Sequence, residues 1–90
     1  MIRDYKSRGD VLVMAMQVTE ATIQQAELFT SGHRVVEIDA LDPTLTYVGI
    51  NVPTSDGVKR ASEGDYLVKE LGGQVTVVRK HVFERYYDAV

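Results

Sequence analysis

The sequence predicts an α+β fold: a mostly antiparallel meander sheet of five to six strands, one main helix at about 21–31 packed on a face, and a short C-terminal helical turn at about 81–87. Three observations predict it. Apolar and polar residues alternate in short runs at 33–40, 45–52 and 74–80. Turn pairs stand between the runs: Asp42-Pro43, Asp56-Gly57 and Gly72-Gly73. Two windows only, 19–32 and 81–89, change to a helical period.

Taken in order, "DVLVMAMQVT" (10–19) is rich in valine and methionine and reads as a strand. Its near-continuous apolar character predicts a central strand with both faces covered, or one face covered by a helix. In "TEATIQQAELFTSG" (19–32), Thr22 and Gln25 have the spacing of a capping box, and Gly32 stands where a helix-terminating glycine belongs. Ile23, Ala26 and Phe29, with Leu28 beside them, form the inward stripe, while Gln24, Gln25 and Glu27 face water. "HRVVEIDA" (33–40) and "LTYVGINV" (45–52) are strands. The second puts Tyr47 on one side and Val48, Ile50 and Val52 on the other. "VKRA" (58–61) returns as a short strand whose Lys59 or Arg60 guards an edge. "DYLVKEL" (65–71) and "QVTVVRK" (74–80) form a hairpin across Gly72-Gly73. The β-branched run after those glycines starts no helix, so they read as a turn and not as a phosphate-holding loop. In the tail, Val82, Phe83, Tyr86 and Tyr87 fall on one helical face.

Ninety residues hold one domain, 1–90. The composition, 44% hydrophobic and 26% charged, is that of a folded globular chain. With no cysteine, disulfides, thiolate metal sites and cysteine nucleophiles are excluded. No apolar run approaches the ~20 residues of a membrane span, and the N-terminus lacks the pattern of a signal peptide. A net charge of −3 with scattered basic residues argues against duplex nucleic acid as partner.

No constellation carries chemistry. His33 and His81 are the only histidines and lack the spacing of a metal site. Ser7, Ser31, Ser55 and Ser62 sit in turn-like settings without a nucleophile motif. Glu37/Asp39 and Glu63/Asp65 read as solvated carboxylates. No cofactor is expected. Phe83, Tyr86 and Tyr87 fit a core at this spacing, yet tyrosine also favours interfaces. Arg79, Arg85, Tyr86 and Tyr87 are the candidate contacts for a partner or ligand.

"GDYLVKELGGQVTVVRKHVFERYYDAV" resembles the C-terminal signature of a family of small proteins encoded in bacteriophages and prophages: Pro-Gly-Asp-(Tyr/Trp)-(Ile/Leu)-Val, a glycine turn, an apolar strand, then Phe-Glu-x-x-Tyr. "VLVMAMQVTEATIQQAELF" is similar to that family's front, so the likeness runs from about Tyr5 to Tyr87. The shared positions are Ala15, Gln17, Thr19, Gly64, Asp65, Tyr66, Val68, Gly73, Phe83, Glu84 and Tyr87. Glu63 stands in place of the family's proline, Val18 in place of its tryptophan, and Lys80-His81 in place of Pro-Asp. The resemblance implies a viral protein acting in the cytoplasm of an infected or lysogenic bacterial host, and brings no activity with it.

The function expected first is a phage accessory protein, not an enzyme, that binds a host or phage macromolecule as an inhibitor of a host process. Its acidic balance suits a basic protein partner. The alternative is a small-ligand or nucleotide-binding module, a homo-oligomer, that uses Arg79, Arg85 and Tyr86. Enzymatic and virion-assembly roles stand behind these.

Overall fold

A computed structural model describes all of residues 1–90. It is an α+β fold in which eight strands form two wholly antiparallel sheets. The strands are β1 (Arg3–Ser7), β2 (Leu12–Gln17), β3 (His33–Ile38), β4 (Thr46–Thr54), β5 (Gly57–Ser62), β6 (Tyr66–Lys69), β7 (Val75–Val78) and β8 (Tyr87–Ala89). Two short helices join them, α1 (Ile23–Thr30) and α2 (Lys80–Tyr86). One sheet has the order β7-β6-β2-β1-β8, the other β3-β4-β5.

The single meander of five or six strands is thus corrected to eight strands in two sheets. The two added strands, β1 and β8, are polar and short. "RDYKS" becomes a strand because β2 pairs on one side of it and β8 on the other. The split into two sheets follows from α1, which separates β2 from β3 and lets the chain begin a second layer.

β2 is covered on both faces toward its C-terminal end, as its apolar run predicts, whereas Leu12 and Met14 nearer its start stay exposed. Met16 and Val18 meet Ile23, Ala26 and Phe29 of α1, Ile50, Val52 and Ala61 of the small sheet, and Leu67 and Val75. The opposite side, Val13 and Ala15, packs with Val68 and Phe83. α1 and the small sheet therefore cover one face of the large sheet, and α2 covers the other. Burying Ile23 and Phe29 contributes roughly 1.5–3 kcal/mol each, which is what holds an eight-residue helix that would be marginal alone.

Three local expectations change. Leu28 lies outside the inward stripe and is largely exposed. The capping box is Thr19 with Thr22, on a 3₁₀ turn at Glu20–Thr22 that precedes α1. Thr22 Oγ1 donates 2.7 Å to the Gln17 carbonyl, so it is engaged backward along the chain and caps nothing ahead. At the helix end the left-handed residue is Ser31, φ 58°. Gly32 is needed instead for close approach: a Cβ there would lie 2.7 Å from the Asn51 carbonyl oxygen.

Candidate functional site

The turn from Ser62 to Asp65 ties the two sheets together. Gly64 adopts φ +97°, which favours glycine, and its N–H donates 2.7 Å to the Val18 carbonyl. The Val18 N–H donates to the Asp65 carbonyl at 2.8 Å, and Gln17 Nε2 to the Gly64 carbonyl at 3.0 Å. Asp65 is buried, and its carboxylate accepts from the Ser62 N–H at 2.9 Å and pairs with Arg79. Burial of this charge is sustained by those two donors.

Directly beyond, Tyr66 enters an aromatic stack. Phe83 is 2% exposed and stands between two parallel rings, Tyr66 at 3.9 Å and Tyr87 at 4.6 Å, with Tyr5 edge-on at 4.8 Å. Burial, with Tyr5 and Glu84 adding to it, pushes the Tyr66 phenol above its ordinary range. Gln17, Gly64, Asp65, Tyr66, Phe83 and Tyr87 thus meet in one tertiary unit.

The four candidate contact residues separate. Tyr87 is half-buried in the stack. Arg79 precedes α2, whereas Arg85 lies in its last turn, so the two occupy opposite ends of that helix. Tyr86 is exposed, with the guanidinium groups of Arg8 and Arg85 each 5.7 Å from its ring centre. Those two cations already attend the ring assigned to the small-ligand or nucleotide-binding alternative. Val82, placed by period on the buried face, is exposed with Tyr86, and only Phe83 of the helix is buried. A seven-residue helix followed at once by β8 has room for one inward anchor.

Arg79 instead joins a cleft of about 430 Å³ between β5, an edge of the small sheet, and β7, an edge of the large one. Lys59, Arg60 and Arg79 line it with Thr54, Ser55 and Thr76. Arg60 donates from Nε to Asn51 Oδ1 at 2.6 Å and from Nη1 to Glu37 at 3.4 Å. Lys59 makes no ion pair.

A second feature lies at the far end of the small sheet. The β3–β4 hairpin leaves Val36 and Ile38 71% and 66% exposed, and Tyr47 is also exposed. Its tip is fixed by its own acids. Asp39 accepts from the Leu41 and Asp42 N–H groups, and Asp42 accepts from the Thr44 N–H and hydroxyl. The Thr44 bonds hold the Asp42 carboxyl below its usual range. A depression of about 350 Å³ here is lined by Val36, Thr46, Tyr47, Val48, Glu20 and Glu63, two carboxylates and no cation. At the other end of β3, Arg34 is committed to Glu27, 2.6 Å from Nη2 to Oε1.

Sequence reading did not find the cleft residues Thr54, Ser55 and Thr76 or the depression residues Val36, Glu20 and Glu63 as sites. The adjacent pair Lys59-Arg60 was a signal, but it reads equally as an edge guard. The alternating Val36 and Ile38 signal a buried face, and only the short reach of α1 leaves them bare. No cluster of three or more histidine, aspartate or glutamate side chains is placed to hold a metal. No helix is long and apolar enough to cross a membrane. Compared with protein-family models, curated proteins and solved structures, the chain has no significant match.

Proposed function

We propose that this chain is a non-catalytic binding protein that holds a basic protein partner on the acid-rimmed apolar shelf of its β3–β4 hairpin. The observation that carries this reading is the depression itself: Val36 and Val48, paired on one face of the hairpin, supply apolar area, and Glu20 and Glu63 supply charge, with no cation in the lining. Exposed apolar area with an acidic rim suits a partner segment that alternates apolar residues with lysine or arginine. Glu63 is also where the chain departs from the proline of the phage family it resembles. That resemblance supports a phage or prophage protein that acts on a host component, as an inhibitor, in the bacterial cytoplasm.

The test is affinity capture from bacterial lysate with the wild type, Val36→Glu and the double variant Glu20→Lys/Glu63→Lys. The wild type should retain one dominant basic protein, released by salt. Both variants should keep the circular dichroism spectrum and lose that protein. An empty capture, a captured protein indifferent to both variants, or a shelf occupied by a second copy in sedimentation would refute the reading.

A further inference from the structure

We propose that the cleft between β5 and β7 is a binding site for a small phosphoanion of two or more charges, of the diphosphate or triphosphate class. Lys59, Arg60 and Arg79 line this cleft with Asp56; Arg60 is paired with Glu37 and Arg79 with Asp65, so Lys59 is the cation of the lining that no acid holds. Cations gathered on one concave wall raise the local concentration of an anion.

Both guanidinium groups are held by acceptors of the protein itself. Arg60 is anchored by Asn51 and Glu37 through Nε and Nη1, and Arg79 by Asp65 through Nη1. The Arg60 bonds run to β4 and β3, across the small sheet from β7, whereas Arg79 retains N–H groups beyond its anchor, so its fork is positioned before a ligand arrives. Lys59, exposed and free of any ion pair, adds a mobile third charge. Ser55 and Thr76 contribute hydroxyls at the same wall. Val77 is the one apolar residue in the lining, so charge and hydrogen bonding, not a buried ring, select the ligand. The cleft, at about 430 Å³, exceeds what one phosphate fills and suits a condensed phosphate. This site is separate from the hairpin shelf and shares no lining residue with it.

Isothermal titration and amide NMR with inorganic pyrophosphate, tripolyphosphate and ADP test the assignment, with sodium sulfate and acetate at matched ionic strength as controls. Pyrophosphate should bind one to one and shift amides of residues 54–60 and 76–79. Lys59→Ala should weaken it about tenfold, as expected for loss of one charge-assisted contact. Lys59 is exposed on an edge strand, so the variant keeps its fold, and an unchanged amide spectrum away from the cleft checks this. Val36→Glu should bind pyrophosphate as the wild type does. ADP binding no tighter than pyrophosphate would mean that the phosphates alone are read, and tighter binding that the nucleoside adds contacts; either supports the site. The proposal is overturned if sulfate matches pyrophosphate, if Lys59→Ala binds unchanged, or if only a single-stranded oligonucleotide binds.

Discussion

Replacing Phe83 with alanine removes the ring on which α2 docks. At 2% exposure the side chain is wholly internal, so its loss opens a cavity between Tyr66 and Tyr87 that flanking strands cannot close. Phe→Ala changes at such sites cost about 3–5 kcal/mol. Three ring contacts are lost with it, each worth roughly 0.5–1.5 kcal/mol beyond burial, which puts the expected cost in the upper half of that range. A chain of this size is stable by roughly 5–13 kcal/mol. The substitution therefore removes between about a third and nearly all of the reserve, and lowers the melting midpoint by more than about 12 °C. Phe83→Leu keeps most of the volume and should cost about 1–2 kcal/mol. Urea unfolding followed by circular dichroism gives both numbers. If Phe83→Ala costs under about 1 kcal/mol, or matches Phe83→Leu, the ring is not the anchor described.

Gly64→Ala has room for its methyl, since the nearest atom outside the turn is 4.0 Å away, so its cost is purely conformational at φ +97°. A loss of about 1–2 kcal/mol in thermal melts is expected, and no loss would mean the turn relaxes. Asp65→Ala leaves the Ser62 N–H and Arg79 unpaired and should cost about 1–3 kcal/mol in urea, and Arg79→Ala, which leaves the buried Asp65 carboxylate with the Ser62 N–H alone, should cost about 1–2 kcal/mol. Arg34 hydrogen-bonds hold Glu27 below its ordinary value of 4.5. The stability this pair contributes is present above that value and is lost as pH falls through the lower folded one, so Glu27→Gln should flatten the acid limb of a stability–pH curve. Tyr66 behaves oppositely. Its contribution is full below the ordinary value of 10.0 and is lost as pH rises through the higher folded one, so ultraviolet titration should show one tyrosine ionising late.

Strand identity was legible where alternation and turn pairs agree. The runs at 33–40 and 45–52 became β3 and β4, Gly72-Gly73 became a hairpin bend, and Ile50 and Val52 are buried while Tyr47 faces away. Strand partnership was not legible, because period 2 says which side a residue faces and nothing about which strand lies beside it. β1 carries Arg3, Asp4 and Lys6 and has no apolar rhythm; it is a strand by tertiary pairing alone. The candidate sites were half visible. Arg79 was singled out, but its cleft partners come from residues 54–60 and 76–77, brought together by two sheet edges that no local pattern announces. The shelf was hidden for the converse reason: Val36 and Ile38 look internal until the length of α1 is known.

The pairing of β8 with β1 sets Tyr5 against Ala89 and Ser7 against Tyr87. A connection that spans almost the whole polypeptide must close before the large sheet gains its last member, and the entropy of so long a loop falls due before any reward. Closure of that flank therefore carries the largest loop-entropy cost of any strand pairing in the fold. A chain deprived of residues 79–90 would have an open β1 border and a Tyr5 without Phe83 against it, an edge sticky by its geometry until the closing segment is present.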